Sequence, residues 1–320
     1  MATVTKRDLV IQISDQTGLT QNQVFDVLQL FLDNTTTHLA QNCDVVLRNF
    51  GTFEIRVTKP KVGRNPNNPD RDVPIPARAV VKFKPGKELR EIVNQIAKMQ
   101  YMSSGRLKMP VLLRGCIGIG HAAATHHSGS YYAMYAHFPG LRVVVPSSPR
   151  DAKGLLKTAL TCDDPVLFLE HRELMSVKGP VPEEEYFIDF GKAAVVREGR
   201  DVTVVALALM VHKTLAACEA LAKEGISVEL IDPRTVAPLD VETILASVAK
   251  TGRLIIVDED FAHCGIGAEI AAQLADRGFD DLDAPIRRLN GKASPTPYSP
   301  TLEAAVVPNA ETIAQAIREL

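Results

Sequence analysis

The pattern of charge and secondary structure changes within residues 85–114, and this change limits what the chain can fold into. Residues 48–90 hold eleven Lys and Arg against four Asp and Glu, whereas residues from 95 onward hold 23 against 28. A basic block inside an otherwise acidic chain points to a polyanion partner for that block alone. The apolar spacing predicts one helix over residues 88–99. We therefore expect two kinds of domain that meet in a single helix.

Composition sets broad limits on the fold and the compartment. A chain of 320 residues with 46% hydrophobic residues suits two or three globular domains. No apolar run approaches the ~20 residues of a membrane span, and residues 1–10 lack a secretory pattern, so we expect a soluble protein. The cysteines are far apart and odd in number, which favours free buried thiols in a reducing cytoplasm over disulfides or a metal cluster. They are Cys43, Cys116, Cys162, Cys218 and Cys264.

Residues 1–94 combine two short amphipathic helices with a long basic ribbon. Thr5 and Thr20 are placed to cap the two helices. Strand patterns follow over residues 44–47, 53–58 and 73–83, with a tight turn at 49–53 between the first two. The stretch 59–72, KPKVGRNPNNPDRD, is too rich in Pro and Asn to form a core and is expected to project as an arm. These elements provide little core for about 90 residues, so we expect a dimer with interlocked helices.

Three motifs in this region carry a family resemblance. They are NFGTFEIR at 49–56, GRNP at 63–66 and IPARAVVKFKPGK at 75–87. With the helical start, they resemble the HU/IHF bacterial DNA-bending proteins over residues 3–94. The resemblance implies an α+β HU-like fold of helices plus a β-ribbon arm, and an obligate homodimer on double-stranded DNA. The alternative is a solvated basic hairpin that binds no nucleic acid.

The resemblance also assigns DNA-binding residues. Pro66 is the expected wedge between base pairs, with Arg64 beside it in the minor groove, because a rigid ring props open a base step and Arg suits the groove potential. Phosphate contacts by the other basic residues imply salt-sensitive binding that is largely independent of sequence. The full predicted set is Arg56, Lys59, Lys61, Arg64, Asn65, Pro66, Arg78, Lys82, Lys84 and Lys87.

Residues 95–180 follow a different pattern. Short apolar runs alternate with a helix pattern over residues 150–160, which predicts β-α-β units with a parallel sheet. The turn GCIGIG at 115–120 is a weak match to a dinucleotide fingerprint. Four histidines follow within 17 residues, namely His121, His126, His127 and His137. Zinc ligation is one interpretation, but no Cys, Asp or Glu lies between them at ligand spacing, and hydrogen-bonded histidines at a subunit seam are the stronger alternative.

The stretch from His137 to Met175 resembles the pyrimidine-binding domain of the transketolase superfamily. The particular likeness is to the beta subunit of the thiamine-diphosphate component of 2-oxo acid dehydrogenases, of pyruvate, branched-chain or acetoin type. It implies a catalytic role for His127, in the His126-His127-Ser128 motif at the active-site channel. It also implies a potassium site formed by backbone carbonyls in the loop 159–164, at Ala159, Cys162 and Asp164. No residue that binds the organic cofactor is predicted.

One absence accompanies this resemblance. The family's first half-domain, with the glutamate that activates the cofactor, would precede Gln95, where the HU-like region stands instead. Residues 181–320 alternate strands and helices, which predicts a complete three-layer α/β domain. The motifs VELIDPRTVAPLD, GRLIIVDED, GIGAEIA and PIRRLNG in it resemble the transketolase C-terminal domain. This resemblance implies a role in packing subunits and in docking. For Gly265 and Gly267 a tight turn is the preferred interpretation, and an anion-binding site is the alternative. Asp258, Glu259 and Asp260 read as an acidic cluster at an interface.

These observations predict three domains, at residues 1–94, 95–180 (a partial pyrimidine-binding region) and 181–320. The leading hypothesis is a DNA-bending fusion protein, cytoplasmic and associated with a bacterial nucleoid, whose C-terminal module serves packing or oligomerisation. A second is a dehydrogenase beta subunit that shares thiamine diphosphate with an alpha subunit and docks to an acyltransferase core. A third is a chimeric gene-model artefact. Enzymatic activity stays open, and no membrane contact is expected.

Overall fold

The computed structural model describes residues 5–47, 51–57, 61–65, 68–75, 79–85 and 91–320. The chain divides into two compact units, Met1–Arg90 and Glu91–Leu320. They are called unit 1 and unit 2 below.

Unit 1 begins with two capped helices, α1 (Lys6–Thr17) and α2 (Gln21–Ala40). The Thr5 hydroxyl accepts the Asp8 N–H, and the Asp8 carboxylate accepts the Thr5 N–H at 2.7 Å. Thr20 and Gln23 form the same reciprocal pair at the start of α2. These hydrogen bonds confirm both predicted caps. Each cap satisfies backbone N–H donors that the start of a helix leaves unpaired.

The strands of unit 1 pair antiparallel. They are β1 (Val45–Leu47), β2 (Gly51–Val57), β3 (Lys61–Asn65), β4 (Asn68–Ile75) and β5 (Ala79–Pro85). A three-stranded sheet has the order β1-β2-β5, and β3 and β4 form a separate two-stranded ribbon. The single strand expected over 73–83 is wrong, because the chain changes partner there: β4 pairs with β3, whereas β5 pairs with β2.

The single helix expected over 88–99 is also wrong in its described part. Unit 2 starts with a π-helical turn, Ile92–Ile96, and a separate short helix α3 (Met99–Met102) follows. The Ala97 N–H bonds five residues back to the Ile92 carbonyl at 3.0 Å. A Cβ added to Gly140 would lie 1.9 Å from the Ala97 oxygen. This close approach of another chain segment coincides with the break in the α-helical ladder.

The remaining elements of unit 2 alternate strands and helices. The strands are β6 (Leu112–Ile117), β7 (Arg142–Val144), β8 (Val166–His171), β9 (Ala194–Arg197), β10 (Val202–Ala206), β11 (Val228–Asp232), β12 (Thr235–Ala237), β13 (Leu254–Phe261) and β14 (Arg287–Gly291). The helices are α4 (Tyr132–Ala136), α5 (Pro149–Thr161), α6 (Leu209–Ala222), α7 (Val241–Thr251), α8 (Ile266–Arg277), α9 (Pro300–Ala305) and α10 (Ala310–Arg318).

Two sheets organise unit 2. The first has the order β12-β7-β8-β6, in which β7, β8 and β6 run parallel. The second has the order β14-β13-β10-β11-β9 and is parallel except for β9. The predicted parallel α/β architecture is therefore confirmed. Strand β12 follows β11 in sequence yet pairs with β7, so the chain returns to the first sheet after entering the second.

Two further sequence expectations concern the chain as a whole. All five cysteines are free thiols, as expected, but the expectation that they are buried is wrong for every one except Cys218. Within the described ranges, no helix combines the length and apolar character needed to cross a membrane.

Candidate functional sites

The structure describes the backbone of the basic arm on strands β3 and β4, but not its side chains. In the ribbon β3–β4, Arg64 lies opposite Asp72 and Asn65 opposite Asn68. The predicted residues Lys59, Pro66, Arg78 and Lys87 lie outside the described residues. The others lie on described strands, as backbone positions only: Arg56 on β2, Lys61, Arg64 and Asn65 on β3, and Lys82 and Lys84 on β5. Their contacts with DNA remain predictions.

In unit 2, the glycine-rich turn after β6 has an unusual backbone. Positive φ angles occur at Gly118 (87°), Gly120 (135°), His121 (56°), Ala122 (52°) and Ala124 (59°). For residues other than glycine this conformation is strained, and it persists only where surrounding contacts hold it. The turn leads directly into a 3₁₀ turn, Thr125–His127, that carries the histidine motif.

Carboxylates from distant elements hold this turn. Glu303 on α9 accepts the Gly120 N–H at 2.9 Å and the Ala122 N–H at 3.2 Å. Glu259, near the end of β13, accepts the Ile119 N–H at 2.9 Å. Both glutamates are buried. Successive backbone N–H groups in such a conformation form a concave anion site, and here the protein's own carboxylates fill it.

A buried histidine completes the attachment of Glu259. His171 Nδ1 accepts the Glu173 N–H at 3.2 Å, so its Nε2 carries the proton and donates to Glu259 at 2.8 Å. The Ser130 hydroxyl donates to the other Glu259 oxygen at 3.0 Å. The residues of this network come from β8, β13 and the loop before α4. It therefore ties the two sheets together beside the strained turn.

The neighbouring carboxyls are also shielded from water. The Tyr132 hydroxyl donates to Asp258, and burial raises the pKa of this tyrosine well above its ordinary value. Burial likewise raises the pKa of Asp258 to about 7 and that of Asp260 to about 6. The predicted acidic cluster thus lies where the end of β13 meets the first sheet.

Next to this network lies a cavity of about 440 Å³. Residues 128–131 form one side, and Glu259, Asp260 and Phe261 at the end of β13 form another. The segment 291–296, Val306 and Val307 also line it. Its volume falls in the range of small-molecule sites.

Comparison with known proteins identifies both parts of the chain. The family model "Bacterial DNA-binding protein" matches residues 4–94, "Transketolase, pyrimidine binding domain" matches 85–178 and "Transketolase, C-terminal domain" matches 191–313. The chain is 47% identical over 229 residues to the beta subunit of acetoin:2,6-dichlorophenolindophenol oxidoreductase from Cupriavidus necator, covering 72% of this chain and 68% of that protein. The chain belongs to the 2-oxo acid dehydrogenase beta-subunit family. Residues 4–94 add an HU-like domain to it.

Further comparisons agree with this family. The beta subunit of 2-oxoisovalerate dehydrogenase from Bacillus subtilis is 44% identical over 234 residues, covering 72% of each chain. A solved structure, "Split gene transketolase, inactive beta4 tetramer", aligns with a TM-score of 0.59 at 24% identity over 73% of this chain and 71% of that one. This likeness concerns the fold alone. The name beta-subunit module is used below for residues 91–320.

The module places His127 at the surface. It ends the 3₁₀ turn, is exposed, and its carbonyl oxygen accepts a hydrogen bond from Arg172. Neighbouring His126 is exposed as well, and His121 lies 3.4 Å from Glu173. In the described part of the chain, no group of His, Cys, Asp and Glu could hold a metal ion. A catalytic role for His127 stays a prediction.

The segment 159–164, predicted as a potassium-binding loop, overlaps the last turn of α5, so its first three residues are helical rather than part of a loop. Ala159 is buried in that helix, Cys162 caps its end, and Asp164 forms an ion pair with Arg142 at 2.6 Å. The Asp163 carbonyl already accepts the Met109 N–H at 3.0 Å and the Gln100 amide at 2.6 Å. These contacts occupy one carbonyl of the loop, and potassium binding by Ala159, Cys162 and Asp164 stays a prediction.

The buried carboxylates of the module contact other groups of the protein. The resemblance to the beta subunits implies a glutamate that activates the aminopyrimidine of thiamine diphosphate. Within residues 91–320 each buried acidic residue has a partner from the same chain. The pairs are Asp151 with Arg234, Glu229 with Lys250, Asp232 with Ser147, Asp258 with Tyr132, Glu259 with His171, and Glu303 with Gly120. Each of these carboxylates is thus engaged by the protein's own groups through at least one oxygen, while Asp258 Oδ2 has no hydrogen-bond partner in the described part of the chain.

Sequence reasoning missed the residues that hold the site together. Glu303 and His171 received no role, because their partners are backbone groups and side chains far along the chain. The run of glycines at 115–120 was the available signal. A glycine-rich turn with left-handed residues needs donors or acceptors to hold it, and the sequence alone does not say which ones.

Proposed function

We propose that this protein binds and bends duplex DNA, largely independently of sequence, through its HU-like domain. The observation that carries the proposal is the match of residues 4–94 to the bacterial DNA-binding family model. The antiparallel ribbon β3–β4 supports it, because such a ribbon is suited to entering a groove. The excess of Lys and Arg in residues 48–90 supports phosphate binding.

The working form is a homodimer through the HU-like domain. Large apolar side chains of α2 are exposed in the single chain, with Val27 at 64% and Leu30 at 62%. Phe25, Phe31 and Leu32 on the same helix are also exposed. A monomer rarely leaves such a set in water, and a second copy of the same helices would cover it. In the cell this protein is a nucleoid component.

A mobility-shift titration tests DNA binding. The full chain should shift any duplex of about 35 base pairs, and affinity should fall linearly on a log–log plot against salt concentration. Deleting residues 59–72 should remove the shift, whereas deleting the C-terminal residues 310–320 should not. An undiminished shift without residues 59–72 would rule out the arm as the binding element.

The beta-subunit module serves packing and oligomerisation in this proposal. Two points support this role: the HU-like region stands where the resemblance would place the family's cofactor-activating half-domain, and the buried Glu259 and Glu303 are engaged by the module's own groups. In a light-scattering measurement, the full chain should form a larger oligomer than residues 1–94 alone. Equal subunit numbers for both would contradict the role. Sequencing the transcript across codons 85–114 tests whether the two parts are contiguous in the cell.

Beta-subunit activity is a second candidate, favoured by the 47% identity to the acetoin oxidoreductase subunit. It requires an alpha subunit, thiamine diphosphate, and a 2-oxo acid or acetoin as substrate, with docking to an acyltransferase core. We expect no decarboxylation or dye reduction from the mixture. Turnover that depends on this chain and is lost in His127→Ala would instead support the enzyme.

A further inference from the structure

The cavity beside β13 has the chemistry of a cation site. Asp260 lines it together with the aromatic side chains of Tyr131 and Phe261. The Asp260 carboxylate accepts the Phe261 N–H at 2.8 Å. Within residues 91–320 the structure gives this carboxylate no ion pair. A cavity lined by a carboxylate and by aromatic residues suits an organic cation, because charge pairing and cation–π attraction can both contribute.

The surroundings of Asp260 contain more acceptors than donors. Buried Asp258 Oδ2 and Asn290 Oδ1 have no hydrogen-bond partner in the described part of the chain. Asn290 instead donates its Nδ2 to the Asp260 carbonyl at 3.0 Å. Glu259, on the same wall, is fully engaged by His171, Ser130 and the Ile119 N–H. Asp258 and Asn290 adjoin lining residues in sequence but do not line the cavity themselves. The acceptor that the lining offers is the Asp260 carboxylate, and it favours a ligand that brings N–H donors and positive charge.

The remaining walls fix the size and polarity of the ligand. Ile119, Val306, Val307 and Pro295 contribute apolar surface to the cavity of about 440 Å³. The basic groups in the lining are His263 and Lys292, and both residues are exposed. Water screens exposed charges far more than shielded ones, so the acidic wall sets the local potential.

We infer that this cavity binds a small primary amine with an apolar body, its ammonium group on the Asp260 carboxylate. A bare divalent ion is a poorer match, because calcium takes six or more oxygen ligands and the cavity offers one open carboxylate. An anion is a poorer match as well, because it would meet the carboxylates of Glu259 and Asp260. The inference does not rest on DNA binding, since every residue that carries it lies in the beta-subunit module.

Phenethylamine is a suitable probe, with 2-phenylethanol and 3-phenylpropionate as its neutral and anionic counterparts. Calorimetric titration of the full chain at pH 7.5 should show the amine binding about tenfold more tightly than the alcohol, with no binding of the acid. In Asp260→Asn the preference of the amine over the alcohol should disappear. Asp280→Asn, an exposed aspartate outside the cavity, should keep it.

A second variant, Ala293→Trp, tests whether the amine binds in this cavity and leaves the charge of the lining unchanged. Ala293 lines the cavity and is exposed, so Ala293→Trp fills space without breaking a buried contact. It should lower amine affinity about tenfold or more. Equal affinities for amine and alcohol in the wild-type protein would overturn the inference. Undiminished amine binding in Ala293→Trp would overturn it even if Asp260→Asn failed to fold. DNA affinity should be the same in every variant, which separates this outcome from the proposed function.

Discussion

The Glu303 carboxylate accepts the backbone N–H of Gly120 at 2.9 Å, across 183 residues of sequence. Its second oxygen accepts the Ala122 N–H at 3.2 Å. Through these two bonds, helix α9 near the C-terminus holds the strained turn that precedes the histidine motif. Conformations with positive φ outside glycine persist only where other contacts determine them, and Glu303 supplies such a contact.

Replacing Glu303 should release this turn. Glu303→Ala leaves the Gly120 and Ala122 N–H groups unpaired, with an expected loss of about 1–3 kcal/mol in the free energy of unfolding. Hydrogen exchange measured by mass spectrometry should become faster in peptides that span residues 118–127. Glu311→Ala, at an exposed position on α10, is the matched control. Unchanged exchange in the turn of Glu303→Ala would show that other contacts suffice.

Gly118 and Gly225 have nearly the same φ angle, so replacing each with Ala distinguishes the cost of backbone strain from the cost of a steric clash. Gly118 and Gly225 have φ angles of 87° and 84°. A Cβ at Gly118 would lie 2.1 Å from His171 Nε2, whereas a Cβ at Gly225 meets nothing within 4 Å. Gly225→Ala should therefore lower the free energy of unfolding by about 1 kcal/mol, from backbone strain alone.

Gly118→Ala should lower it by more than twice that amount, because the imidazole must move away from Glu259 and leave Oε2 of this buried carboxylate without its partner. Denaturant titration measures both variants. In a His171→Ala background the effect of Gly118→Ala should shrink toward that of Gly225→Ala, since the clashing ring is gone. Equal losses for the two glycine variants in the wild-type background would refute the steric contact.

Local patterns allowed much of the fold to be predicted, whereas the site depended on distant pairings. The caps at Thr5 and Thr20 are readable because a capping box lies within four residues. The parallel sheet follows from the order of apolar runs and helices. By contrast, β12 pairs with β7 across about 90 residues, and the carboxylate of Glu303 reaches its partner across twice that distance. No periodicity in the sequence encodes such pairings.

The expected helix over 88–99 illustrates the other kind of failure. Its apolar spacing is sound, but the close approach of Gly140 to the Ala97 carbonyl belongs to tertiary packing. Helical propensity is a weak preference that packing overrides. The predicted DNA-binding residues are a different case. They are assigned by motif resemblance, and the structure does not describe their side chains.

The buried aspartates should make the stability of the module fall as pH rises. Burial raises the pKa of Asp258 from an ordinary 3.8 to about 7, and that of Asp232 and Asp260 to about 6. Between pH 4 and 7 the folded protein therefore holds protons that the unfolded chain has lost. This contribution to stability is fully present below pH 4 and is lost as pH rises through 6 to 7.

Asp258→Asn removes the largest of these titrations. The fall in the free energy of unfolding between pH 5 and pH 8 should become smaller by about 2–3 kcal/mol. Hydrogen exchange in peptides from β13, corrected for the intrinsic rate at each pH, gives the readout. The exposed Asp280→Asn should leave the slope unchanged. An identical slope in Asp258→Asn would mean that Asp258 does not titrate in this range.

A substitution at Pro66 in the arm should reduce DNA bending much more than DNA affinity. Pro66→Ala replaces the predicted wedge with a side chain too small to prop open a base step, so the bend should decrease. Phosphate contacts made by Lys and Arg remain, so affinity should change by no more than a few-fold. Energy transfer between dyes at the two ends of a 35-base-pair duplex reports the bend, and a mobility shift reports the affinity.

Pro69→Ala, three residues away on β4, is the matched control. An unchanged bend in Pro66→Ala would remove Pro66 as the wedge, whereas a parallel loss of bend and affinity would mean that it anchors the arm.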